Sequence, residues 1–202
     1  MTTAANAARQ APDEAERLRA NVYALLARFL ARPPDAALLS EAAGWRGDGS
    51  DFGKSINALA ENARGADPAV LKEEYEALFI GLGRGELVPY GSYYLTGFLH
   101  EKPLARVRQD LRLIGAERDP AVKEPEDHIA ALLDVMVGLI LQRFPGDGGL
   151  DRQVRFYRDH IGSWAPHFFK DLENAGSAVF YRPVGRLGRL FLAIEETAFE
   201  MA

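Results

Sequence analysis

Residues 74–94 read EYEALFIGLGRGELVPYGSYY, with glycines at 81, 83 and 85. Alternating glycines can line a phosphate, so this stretch decides between a nucleotide-binding α/β fold and a different architecture. A dinucleotide loop needs a strand before its first glycine and a helix after its last. Here the apolar residues before Gly81 (Val70, Leu71, Tyr75, Leu78, Phe79) recur with a helix period, and ELVPYGSYY follows. The Gly-Lys-Ser or Gly-Lys-Thr ending of a Walker-type loop is missing. The plainer reading makes Gly81 a left-handed cap that ends a helix and opens an irregular loop. That reading leaves the crowding of Pro89, Tyr90, Ser92, Tyr93 and Tyr94 behind the loop unexplained.

Working outward, the same period recurs along the chain. Leu18, Val22, Leu25, Leu26 and Phe29 predict a helix face that stops before Pro33-Pro34. Ile129, Leu132, Leu133, Met136 and Ile140 predict another, and Leu187, Leu190, Phe191 and Ile194 a further one. Shorter helices are expected over 35–43, 53–64, 103–114, 150–160 and 164–174. Strand alternation bounded by hairpin turns is absent. Breakers fall at Pro33-Pro34, Gly81 to Pro89, Arg118 to Pro125 and Pro145 to Gly149. The expectation is all-α: a single irregular bundle of about eight to ten helices over residues 16–202, after a flexible segment at 1–15.

Composition limits the chemistry. There is no cysteine among the 202 residues, which excludes disulfides, thiolate catalysis and Cys-type metal sites. Carboxylates outnumber Lys plus Arg by 29 to 24 without a basic stripe, so nucleic acid is not an expected partner. Leu132–Leu141 is too short to span a bilayer, and the N-terminus lacks a secretory pattern, giving a cytoplasmic reading without stable membrane insertion. The four histidines (100, 128, 160 and 167) lack Glu-x-x-His or His-Glu-x-x-His spacing, and Gly-x-Ser-x-Gly is missing. No enzyme, metal or cofactor is therefore expected; a nucleotide switch on the Gly81–Gly85 loop remains the alternative.

Two further stretches stand out. Residues 123–136, KEPEDHIAALLDVM, read as a helix start, with Pro125 in the first turn and Glu126 and Asp127 on the positive end of the dipole. The same residues place Glu124, Glu126 and Asp127 beside His128 as an acidic surface corner able to hold an arginine. In HIGSWAPHFFKDL, residues 160–172, Trp164, Phe168, Phe169 and Leu172 read as core, with Ser163 as cap and Pro166 in the first turn.

Taken in order, these three stretches resemble the TorD/DmsD/NarJ redox-enzyme maturation chaperones. Glu-Tyr-x-x-Leu-Phe, a glycine loop, Pro-Tyr-x-Ser-x-Tyr, Glu-Pro-x-Asp-His-Ile and Trp-x-Pro-x-Phe all occur here, across roughly residues 17–195. The resemblance implies an all-helical cytoplasmic chaperone for a molybdoenzyme catalytic subunit. It would bind the twin-arginine leader or the enzyme body, assist molybdenum-cofactor insertion and delay export. Tyr75, Leu78, Phe79, Pro89, Tyr90 and Ser92 would then line one wall of a peptide groove. Glu124, Pro125, Asp127 and His128 would line the other. The client would be a formate dehydrogenase or another member of the dimethyl sulfoxide reductase family. The protein would be a monomer or a homodimer, the glycine-rich 145–149 hinge permitting exchange. Against the family pattern, Arg182-Pro183 and Gly185 to Gly188 are expected to interrupt the last helix.

Overall fold

A computed structural model describes residues 11–81, 83–117, 122–146 and 149–201. Among these described residues, ten α-helices run in the order α1 (Glu14–Ala31), α2 (Ala36–Gly44), α3 (Asp51–Arg64), α4 (Pro68–Tyr75), α5 (Gly91–Thr96), α6 (Lys102–Ile114), α7 (Ile129–Ile140), α8 (Leu150–Tyr157), α9 (Ala165–Asn174) and α10 (Tyr181–Glu200). Single π-helical turns, Glu76–Ile80 and Arg158–Gly162, prolong α4 and α8. No strand forms among the described residues, so the all-α expectation holds. Of the expected flexible segment 1–15, residues 1–10 lie outside the described residues, and Glu14 already opens α1. Asp13 and Glu16 form a capping box there: each side chain accepts the other's backbone N–H.

The α1 helix packs along α7, and α10 packs along α9 and α3. Between them lies an aromatic core that includes Tyr23, Phe29, Tyr157, Trp164, Phe168, Phe169 and Tyr181. Two residues assigned to core faces from periodicity, Leu18 and Ile194, are exposed. In both cases the neighbouring charged residue takes the inward position. Arg19 donates from Nε and Nη2 to the two oxygens of buried Glu195, each at 2.7 Å. Tyr23 Oη donates to the same carboxylate at 2.9 Å, and Arg19 Nη1 reaches Gln153 Oε1 at 3.2 Å. A buried carboxylate is tolerable only when its lone pairs are met in this way. Val70, assigned to the α4 face, is likewise exposed.

The expected break in the last helix does not occur; α10 runs without interruption through 20 residues. Pro183 lies in its first turn, where a missing N–H leaves no hydrogen bond unmade. Gly185 and Gly188 serve packing. A Cβ at Gly185 would overlap the Glu173 backbone, and one at Gly188 would overlap the Phe169 ring. These two positions let α9 and α10 approach closely. No side chain of α10's own caps its N-terminus. Instead the carboxylate of Glu74, on α4, accepts the backbone N–H groups of Val179, Phe180 and Tyr181 at 2.8, 3.1 and 2.8 Å.

Candidate functional site

The two loops singled out in the sequence meet. Residues 89–91 pair antiparallel with 127–129: Ile129 N–H donates to Pro89 O and Gly91 N–H to Asp127 O, both at 2.9 Å. The pairing is completed from a side chain, since Ser92 N–H donates to Asp127 Oδ2 at 2.8 Å. Asp127 therefore does the capping that α5 lacks locally, and an anion at that end also suits the helix dipole. Gly91 permits this seat, because a Cβ there would come within 3.1 Å of the Trp164 indole nitrogen. Trp164 is itself fixed by donating to His160 O at 2.7 Å, and His160 Nε2 lies 2.7 Å from Asp110 Oδ2.

This corrects the acidic surface corner. Asp127 is 1% exposed, so its carboxylate does not reach the surface. The helix also starts later than expected. His128 is the N-cap of α7 and its Nδ1 accepts Ala130 N–H at 3.1 Å, leaving Pro125 and Glu126 outside. That acceptor role requires the neutral imidazole with its proton on Nε2. Burial pushes the His128 pKa down to about 4, against the opposing pull of Glu124 and Asp127. Ser163 does not cap α9 either: its N-cap position is Trp164, with no side-chain cap bond. Pro166 sits in the first turn, and Trp164, Phe168, Phe169 and Leu172 are core.

The surface side of the junction is formed by Tyr90 and Glu124. The Tyr90 ring meets His128 edge-on at 5.0 Å, and its hydroxyl donates to Glu124 Oε2. Burial and that carboxylate together raise the Tyr90 pKa. Tyr75 and Leu78 face inward. Tyr75 Oη donates to Leu30 O at 3.1 Å, and its pKa is pushed up to about 12 by burial and then by Glu124. Phe79 is half-buried and packs edge-on against Tyr75 and Tyr181. Pro89 and Ser92 are buried, Pro125 partly so, and Glu124 is exposed.

Glu124 and His128 line a groove of about 540 Å³ between α1, α7 and residues of the stretches 111–117 and 122–126. Its apolar lining includes Ala27, Ala31, Leu111, Val122, Val135 and Phe144, and its charged lining is four carboxylates, Glu117, Glu124, Glu126 and Asp134, with Arg28 and Arg32, which pair with Glu41 and Asp35. Glu126 is held by Arg108 Nε at 2.9 Å. Sequence reading missed the α1 and α7 contributions, because Ala27 and Val135 lie off the apolar faces by which those helices were recognised. The only available signal was small alanines at 27 and 31, one helical turn apart.

The glycine loop is a strap folded back on the end of α4. Gly81 has φ +61° and ψ 174°, a region only glycine enters easily, rather than the left-handed helical cap expected. Its N–H returns to Glu76 O at 2.7 Å; Glu86 N–H goes to Ala77 O and Leu87 N–H to Leu78 O. The Glu86 carboxylate accepts Gly176 and Ser177 N–H at 2.6 and 3.0 Å, and the Ser177 hydroxyl, together with these amides, holds its pKa below the usual range. These amides are committed within the protein, and the N-terminus of the next helix is already occupied by Asp127. Neither resembles a phosphate cradle. Among the described residues, no three His, Cys, Asp or Glu side chains could hold a metal ion, and no helix is long and apolar enough to cross a membrane.

The fold is that of a redox enzyme maturation protein. A solved structure described as a candidate of that kind from Archaeoglobus fulgidus superimposes with a TM-score of 0.61. The likeness covers 87% of this chain and 94% of that one, at 22% identity. The chain belongs to the family described as nitrate reductase delta subunit, whose profile matches residues 46–170. Relatives are named as chaperones, not enzymes. Chaperone protein TorD of Aliivibrio fischeri is 28% identical over 158 residues, 72% of this chain and 74% of its own. A candidate Tat proofreading chaperone, DmsD of Haemophilus influenzae, is 28% identical over 136 residues, 66% of this chain and 63% of its own.

Proposed function

We propose that this maturation chaperone acts in the cytoplasm on the catalytic subunit of a molybdoenzyme, binding its twin-arginine leader before export. The observation that carries the reading is the groove beside Tyr90 and Glu124, where four carboxylates and an apolar lining face two arginines, Arg28 and Arg32, that pair with Glu41 and Asp35. A twin-arginine leader combines two guanidinium groups with a following apolar segment. Guanidinium pairs with carboxylate in a strong bidentate geometry, and the apolar segment covers the alanine and valine surface. Burying some 400 Å² of apolar area contributes about 10 kcal/mol gross at about 25 cal/mol per Å². Ordering a disordered leader offsets much of this, which leaves micromolar to submicromolar affinity. Holding the subunit through its leader gives time for molybdenum-cofactor insertion and delays export. Formate dehydrogenase or another dimethyl sulfoxide reductase family member is the proposed client.

The test is titration calorimetry with synthetic leaders from candidate clients, each paired with a version whose arginines are replaced by glutamine. The expected result is saturable binding that weakens at least about tenfold without the arginines and falls as salt rises. Equal affinity for both versions, or no binding to any leader together with no molybdoenzyme captured from cytoplasm, would overturn the proposal.

A further inference from the structure

Asp127 offers two oxygens, and they meet different surroundings. Oδ2 accepts Ser92 N–H, while Oδ1 has no protein partner, nor does the neighbouring Ser92 Oγ. Both residues are at least 99% buried. Asp127 borders a cavity of about 30 Å³ lined also by Gly91, His160 and Trp164. That volume suits a single water molecule. It does not admit a guanidinium group with its four heavy atoms and the chain behind it. An arginine from a client therefore cannot pair with Asp127 while this packing lasts.

The same carboxylate closes a ring. Asp127 holds Ser92, the second residue of α5. The residue just before that helix is Tyr90, whose hydroxyl donates to Glu124, and Glu124 leads back through three peptide units to Asp127. The buried end of this ring is Asp127 and the exposed end is Glu124, which lines the groove. We infer that Asp127 is a positioning residue: it caps α5 beside one buried water and thereby sets Tyr90 and Glu124 at the groove, without touching the client. The inference rests on the groove being the leader site, but its structural half does not.

Two measurements separate these parts. Hydrogen exchange on the unliganded protein should show Ser92 N–H protection falling by at least about tenfold in Asp127→Ala and recovering in Asp127→Asn, whose amide oxygen still accepts the bond. A double-mutant cycle then crosses Asp127→Asn, Asp127→Ala and Glu124→Gln with leader arginine-to-glutamine peptides. Asp127→Ala should weaken both peptides by the same factor, Asp127→Asn should restore most of that loss, and only Glu124→Gln should show coupling, of about fivefold or more. Unchanged Ser92 protection in a folded Asp127→Ala would overturn the capping role. Coupling above about tenfold between Asp127 and a leader arginine would overturn the positioning role. Should Asp127→Ala fail to fold, Asp127→Asn decides: a positioning carboxamide gives no coupling to the arginine, and a lost charge partner does. If the wild-type protein binds no leader, the functional reading fails, and the exchange data still decide what Asp127 does to α5.

Discussion

Replacing Glu74 by alanine tests whether one helix can be capped from another 105 residues away. Its carboxylate accepts three consecutive N–H groups at the start of α10, at 2.8 to 3.1 Å. Loss of a single N-cap side chain costs about 0.5–2 kcal/mol, and hydrogen bonds to a charged group contribute about 1.5–3 kcal/mol each when buried. Val179 is exposed, so its amide turns to water at little loss, whereas those of Phe180 and Tyr181 are partly buried. Discounting for this exposure gives about 2–3 kcal/mol for Glu74→Ala, and about 1 kcal/mol for Glu74→Gln, which keeps an acceptor but loses the charge. Urea denaturation followed by far-UV circular dichroism measures it. With a slope of about 2.5 kcal/mol/M, the midpoint should fall by about 1 M in Glu74→Ala. A Glu74→Ala protein within about 0.5 kcal/mol of wild type would refute the reasoning, because the three amides would then have an equally good partner in water.

Other outcomes follow from the same physics. His128 binds its proton more weakly in the fold, near pH 4, than when unfolded, near 6.5. The unfolded state therefore holds more protons between those values, and stability is full above pH 6.5 and declines as pH falls towards 4. Urea midpoints from pH 7.5 to 5 should drop in wild type and flatten in His128→Asn, which caps without titrating. Gly185→Ala should destabilise by about 1–3 kcal/mol despite the helix propensity gained, since the added carbon meets backbone that cannot rotate away; thermal melts read it. Glu195→Ala should cost about 3–5 kcal/mol by leaving Arg19 and Tyr23 without their shared acceptor, and Glu195→Gln should cost less.

Much of the architecture was legible locally. Apolar period located the long helices, Pro33-Pro34 marked the end of α1, and the aromatic run at 164–172 read correctly as core. What failed was whatever distant chain decides. Pro183 and the glycines behind it look like a break until α9 is seen pressed against them and Pro183 is placed in a first turn. Asp127 looks exposed because acidic residues before a helix usually are, yet α5, arriving from 35 residues earlier, covers it and takes its oxygen. Glu74 and Glu86 gave no local sign of their partners beyond residue 175. At the site, the sequence named the two segments that pair, but it could not tell which of their side chains turn inward.

The pairing of Arg19 and Tyr23 with Glu195 has a temporal consequence. During synthesis, α1 is made more than 150 residues before its carboxylate partner, and Tyr181, whose hydroxyl donates to Phe29 O at 2.9 Å, comes scarcely earlier. Until then a guanidinium and a phenol meant for the interior have only water to satisfy them, and the apolar face of α9 lies uncovered. α1 can pair with α7 before α10 exists, but this part of the core is completed only when α10 arrives. A nascent chain arrested before Tyr181 would therefore remain open to proteases.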